Sequence, residues 1–218
     1  MTGDRIPAKI LATRILPNAD AAFLTAFGAA ADGSERALGF FTCDSDDVAY
    51  TAIDEATKKA HVRVVYAKSM YAGAGNASTA LAGEFFGALA ADDPEKIRGG
   101  LDAAIACVTE DAAFYSANPE DSVCYFAHCV SSTGSYLSGV AGIREGEPLA
   151  YLIAPPLEAM AGLDAALKAA DVRLCVFWGP PSETNFAGGL LTGEQAACRV
   201  ACDAFAEEVC RVAAQPLS

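Results

Sequence analysis

The chain has 218 residues, 53% of them hydrophobic and 20% charged, and a formal net charge of −13 at neutral pH. That balance implies a well-filled core and gives no support for disorder. It also argues against nucleic acid or an anionic membrane as partner, since both are held by clustered Lys and Arg.

The first seven residues contain no apolar run of the kind a secretory signal needs, so a cytosolic protein is expected. In that setting the eight cysteines read as reduced, buried thiols. The longest stretch without acidic or basic side chains, 122–143, is broken by Ser, Gly and His and does not suit a membrane span.

In chain order, the pattern predicts a strand over 9–16 closed by Pro17-Asn18, then a short helix over 21–27 capped by Asp20. A strand over 38–43 leads through Asp44-Ser45-Asp46-Asp47 into a helix over 48–60 and a strand over 61–68. A Gly-rich stretch, 70–78, precedes a strand over 84–90. Asp92-Asp93-Pro94-Glu95 then opens a helix to about residue 108, acids and Pro both suiting a first turn. Residues 111–121 read as a connector. The order then recurs as strand 122–130, helix 133–139, strand 149–154, helix 157–170, strands 172–178 and 185–191, and helix 194–213.

The recurrence is visible in the residues. Positions 53–64 match 163–174 at six of twelve places: Asp54/Asp164, Ala56/Ala166, Lys58/Lys168, Ala60/Ala170, Val62/Val172 and Arg63/Arg173. Strand 38–43 lies on 149–154, strand 85–90 on 186–191, and Asp102 on Asp203. On this alignment the first half holds nine extra residues, placed in 70–78. Two domains follow, 1–112 and 113–218. Each is β-α-β-α-β-β-α, an α+β layer with helices on a small sheet.

The halves agree in their frames and differ in their turns, and loops on a fixed scaffold tend to carry function. Asp44, Asp46 and Asp47 have an ordinary reading as helix-start acids. They are not a calcium loop, because Val48 and Ala49 stand where an oxygen ligand and Gly belong. Gly73 and Gly75 imitate a dinucleotide fingerprint without its third Gly. Cys124, His128 and Cys129 are too few for a metal site, and Cys198 and Cys202 read as one packed helix face. Only two histidines exist, each in a strand pattern, so no catalytic or metal residues are assigned.

Several segments together resemble a known family: 44–50 (Asp-Ser-Asp-Asp-Val-Ala-Tyr), 54–58, Val65-Tyr66, 71–73, 133–138 (Thr-Gly-Ser-Tyr-Leu-Ser), 150–158, 181–185 and 195–198. The chain resembles, over nearly its whole length, the ethanolamine-utilisation microcompartment shell proteins of the EutL type. The resemblance implies two tandem, circularly permuted microcompartment shell (BMC) domains, each a mostly antiparallel sheet with packed helices. It implies a homotrimer of hexagonal outline, set edge to edge with other shell proteins in a shell within the cytoplasm. The shell's pores would be gated and would pass substrate and cofactor; the protein would need no cofactor and do no catalysis. Ethanolamine is expected at small pores, favouring closure, on Asp46, Glu84, Phe114 and Thr184, with Tyr71 nearby. The pore-gating loop is expected to include Met70, Gly73, Gly75 and Asn76. A small ammonium wants carboxylates, an aromatic face and a hydrogen-bond partner. A cytosolic amine sensor on the same frame, without tiling, stays open as the alternative.

Overall fold

The computed structural model describes residues 1–30, 32–70, 79, 81–180 and 185–217. They form two compact units, one of Ala8–Ala112 with Gly134–Leu137, the other of Met1–Pro7, Ala113–Thr133 and Ser138 onwards.

In the first unit, strands β2 (Ile10–Leu16), β3 (Ala37–Cys43), β4 (Arg63–Ser69) and β5 (Phe85–Ala91) form an antiparallel sheet in the order β2-β3-β5-β4. Helix α1 (Ala21–Ala26) follows β2, α2 (Asp46–Lys59) follows β3 and α3 (Pro94–Ala106) follows β5. The side-chain alternation of strands divides the apolar residues between two faces. Phe41, Phe85 and Leu89 are buried with Ile53 of α2 and Ile97 of α3, while Leu38 and Ala90 are buried with Leu24 of α1. With both faces covered, β3 reads as the nearly continuous apolar run seen in the sequence. The predicted cap forms, Asp20 Oδ1 accepting from Ala22 N–H at 2.9 Å, and at the expected helix start Asp93 is the N-cap, its Oδ1 accepting from Glu95 N–H at 2.8 Å. Helix α3 continues into a π-helical turn, Cys107–Asp111.

The second unit repeats the order with β7 (Cys124–Val130), α4 (Ser135–Ala141), β8 (Leu149–Ala154), α5 (Pro156–Ala169), β9 (Val172–Trp178), β10 (Ala187–Gly193) and α6 (Gln195–Ala214); the first residues of α4 lie in the first unit. Its sheet, β7-β8-β10-β9, has the strand order of the first and is lengthened by two strands, β6 (Phe114–Ser116) and β1 (Arg5–Ile6). Neither was expected, and the connector over 111–121 is corrected accordingly. Each is two or three residues long, too short to show a period, and exists by pairing Arg5 with Tyr115 and Tyr115 with Tyr125. Phe205 of α6 packs against Gly162 of α5, where a Cβ would come within 2.7 Å of the ring.

The ladders refine the internal alignment. Phe85 pairs with Cys43, and Ala187 with Ala154, so Phe85 corresponds to Ala187 and not to Phe186. A one-residue slip exchanges the faces of a strand, and the apolar pattern Phe-x-Gly tempted the wrong register. One of the nine extra residues therefore sits between β5 and α3 instead of after β4. Even the irregularities recur. Val65 is skipped in the β4–β5 ladder and Cys175, its counterpart, in the β9–β10 ladder.

Four of the cysteines, Cys43, Cys107, Cys198 and Cys202, are buried as expected, whereas Cys124, Cys129, Cys175 and Cys210 are half-buried. All eight are free thiols. No helix of the described residues is long and apolar enough to cross a membrane.

Candidate functional site

Where β3 ends and α2 begins, the chain carries three acidic residues, Asp44, Asp46 and Asp47. Asp44 turns the chain: its Oδ1 accepts from Lys9 N–H at 2.6 Å and its own N–H donates to Lys9 C=O at 3.1 Å. Ser45 holds the N-cap position in extended backbone but makes no side-chain cap bond. Asp46 and Asp47 fill the first turn and are buried, with Asp46 Oδ1 accepting from Asp47 N–H at 2.9 Å. The capping reading of these acids is thus sound for the dipole, and it does not account for the burial of Asp46.

Glu84, the residue just before β5, interacts with two of them, Asp46 and Asp44, through its charge. Its N–H donates to Cys43 C=O at 2.8 Å, and its C=O accepts from Met70 N–H at 2.7 Å, so its backbone joins the ends of β3 and β4. Gly83 makes the approach possible. It has φ +66°, and a Cβ there would lie 2.2 Å from Cys43 O. The Glu84 side chain is half-buried, and among the described residues its carboxylate has no hydrogen bond or ion pair. Burial first, then the charges of Asp46 and Asp44, push its pKa above the ordinary glutamate value.

Tyr50, one turn along α2 from Asp46, closes the group. Its hydroxyl lies 2.9 Å from Ser69 Oγ, and its ring stands edge-on to Phe85 at 4.9 Å. Burial raises its pKa, and Asp46 and Asp47 add to the shift. The sequence reading did not include Asp44 or Tyr50 in the site; the i, i+4 spacing of Asp46 and Tyr50 was the available signal. Chemically, the group sets carboxylates near one another beside an aromatic residue: the charges of Asp46 and Asp44 act on Glu84, and those of Asp46 and Asp47 on Tyr50.

Of the expected ligand residues, the structure brings Asp46 and Glu84 together. Phe114 lies in the second unit, in β6 and not in a loop, with its ring 5.3 Å from that of Phe126 and 5.9 Å from that of Phe186. Tyr71 and Thr184 lie outside the described residues, as do Gly73, Gly75 and Asn76 of the expected gating loop; Met70 is described. Among the described residues, no group of three or more His, Cys, Asp or Glu side chains could hold a metal ion.

Comparison with known proteins decides the family. No family model matches the chain. A bacterial microcompartment shell protein EutL from Clostridium perfringens (strain 13 / Type A) is 58% identical over 217 residues, covering 100% of this chain and 99% of its own. The chain belongs to the EutL family of bacterial microcompartment shell proteins. The EutL of Escherichia coli (strain K12) is 53% identical over 182 residues, or 84% of this chain and 83% of its own. The crystal structure of ethanolamine utilization protein EutL from Leptotrichia buccalis C-1013-b superposes with a TM-score of 0.96 at 59% identity, covering 100% of both chains. EtuB from Clostridium kluyveri shares the fold alone, with a TM-score of 0.79 at 19% identity over 94% of this chain and 88% of its own. The EutL likeness spans both units, so the tandem BMC architecture is that of the family.

Proposed function

We propose that this protein is a non-catalytic structural tile of the shell that encloses ethanolamine breakdown in the cytoplasm. Two BMC domains, 1–112 and 113–218, make each chain equivalent to two subunits of a hexagon. Three copies close as a pseudohexameric trimer and meet other shell proteins edge to edge, with pores for substrate and cofactor. The observation that carries this reading is the full-length identity of 58% to a shell protein, gained without loss of either repeat. A closed ring of heterologous contacts is the natural assembly of a duplicated unit. Sedimentation of the purified chain tests it: a trimer is expected, with flat or curled sheets in electron micrographs at high concentration. A discrete oligomer that never tiles favours the amine-sensor alternative.

Within that tile, ethanolamine binds at the Asp46–Glu84 pair, and the family resemblance adds Phe114, Thr184 and Tyr71 to the ligand set. The half-buried carboxylate of Glu84, beside two like charges and without a counter-ion among the described residues, supports the reading, because a cation relieves that repulsion. Two convergent carboxylates on an ammonium correspond to a millimolar to micromolar constant, about 4–8 kcal/mol. Glu84→Gln keeps the shape and removes a charge. Calorimetry is expected to give binding at least about tenfold weaker, a change of about 1.4 kcal/mol; unchanged affinity removes Glu84 from the site. The loop at Met70, Gly73, Gly75 and Asn76 gates the pore on the same reading. Glu84 supports that link, since its C=O holds Met70 N–H at the loop's first residue. Hydrogen exchange over 70–78 as slow as in β4, with and without ethanolamine, would refute gating by this loop.

A further inference from the structure

Three thiols of the second unit gather under the start of α6. Cys129 of β7 donates its S–H to Gln195 C=O, at the first residue of α6, at 3.9 Å. Cys198, three residues on, donates to Gly193 C=O at 3.7 Å, and its sulfur lies against the backbone of Ala150. Ala150 is the ladder partner of Cys129. Cys202 follows one turn after Cys198 on the same face of the helix. Cys198 and Cys202 belong to the buried core of this unit, and Cys129 packs against that core.

The first repeat holds the same three places without sulfur. Strand β3 corresponds to β8 with Gly39 on Ala150, so their ladder partners, Ile15 and Cys129, correspond too. Asp93 and Glu194 are the N-caps of α3 and α6, which sets Ile97 against Cys198 and Leu101 against Cys202. A Cβ on Gly39 would lie 2.3 Å from Ile97 Cγ2 and 3.4 Å from Leu101 Cδ1, so both side chains sit over Gly39. By the repeat, Cys198 and Cys202 sit over Ala150, beside Cys129. Ala150 fills space that Gly39 leaves to Ile97, which accounts for a residue smaller than Ile at 198. Size does not account for a thiol at all three places.

The three differ in access. Cys129 is half-buried, whereas Cys198 is 0% and Cys202 5% exposed. A solute therefore meets Cys129 first. Burial holds the Cys129 thiol above its ordinary pKa; of the charges near it, Arg199 favours the thiolate and Asp203 opposes it.

We propose that Cys129 and Cys198 are a redox modification site, a dithiol that a low-molecular-weight disulfide converts to an internal disulfide. The Cys129 thiolate attacks one sulfur of the oxidant, breaking its S–S bond and releasing one thiolate. The Cys198 thiolate then attacks Cys129 Sγ, forms the internal S–S bond and releases the second. The two thiol protons pass to the released thiolates, so the protein gives up two electrons and two protons and the oxidant becomes two thiols. Excess small thiol runs both steps backwards. The bond ties the first turn of α6 to β7, and the proposal does not depend on the tile reading.

Native full-length protein incubated with oxidised glutathione, trapped with N-ethylmaleimide and mapped by mass spectrometry without reduction tests it. A peptide joining Cys129 to Cys198, two hydrogens lighter than its reduced parts and released by dithiothreitol, is expected, with Cys202 still a free thiol. In Cys198→Ala the second step has no thiol, so Cys129 should stop at the mixed disulfide and carry one glutathionyl group. In Cys129→Ala both α6 cysteines should stay reduced. The wild-type map decides the matter even if a variant folds poorly. A wild-type chain with Cys129 glutathionylated and no internal bond, with Cys129 bonded to Cys202, or with all three thiols unreacted would overturn the proposal.

Discussion

Asp54 and Asp164 occupy the same position of the repeat, yet their substitution by Ala should have very different outcomes. Asp54 is fully buried and accepts two backbone N–H bonds, at 2.7 and 2.8 Å. In Asp54→Ala both donors lose their partner where water cannot replace it, at about 1–3 kcal/mol each. Burial has already raised the Asp54 pKa, so part of the bond energy is spent in desolvating the carboxylate. The central expectation is therefore a loss of about 3 kcal/mol, or about 6–12 °C in the transition of a chain this long. Asp164 is largely exposed, and its partner is Lys168 one turn on, a pair contributing about 0.5 kcal/mol or less. Asp164→Ala should leave the midpoint within about 2 °C. Differential scanning calorimetry at one protein concentration measures both. Equal shifts, in either direction, would refute the claim that Asp54 gained a structural role its duplicate lacks.

Gly83→Ala should cost about 3 kcal/mol or more, since it combines positive φ with a Cβ 2.2 Å from Cys43 O; urea melts check the stability, and calorimetry should show weaker ethanolamine binding because Glu84 is displaced. Glu35 accepts from Arg63 Nε at 2.9 Å, and that guanidinium holds its pKa below the ordinary 4.5. A depressed folded pKa gives stability that is full above pH 4.5 and lost as pH falls through the folded value. Glu35→Gln should therefore flatten the acid limb of a stability–pH profile below that pH and leave its shape unchanged above it. Burial pushes the thiols of Cys43 and Cys107 up to about 12, so neither should react with a thiol reagent at pH 8 unless the chain is unfolded; mass mapping of alkylated native protein decides this.

The frame of this protein was readable in one dimension. The order β-α-β-α-β-β-α in each half, the α5 partner of α2, the cap at Asp20 and the helix start at Asp93 rest on periodicity, on local hydrogen bonding and on a repeat of identical residues. Family resemblance supplied Asp46 and Glu84 as a pair, which spacing alone would not have joined. The tertiary structure decided what depends on pairing across distance. Strands β1 and β6 are too short to carry a pattern and exist only as additions to the edge of a sheet. The register of β5 against β3 corrected Phe186 to Ala187, because two adjacent alignments of a small-residue strand look equally good until hydrogen bonds choose a face. Most of all, the repeat makes Asp54 and Asp164 look alike, and only the fold separates them. One is buried under Gly134 and Leu137 from 80 residues further along the chain, and the other faces solvent beside its own Lys168. Identity along a helix records common ancestry of position, whereas burial depends on what the rest of the chain lays against it.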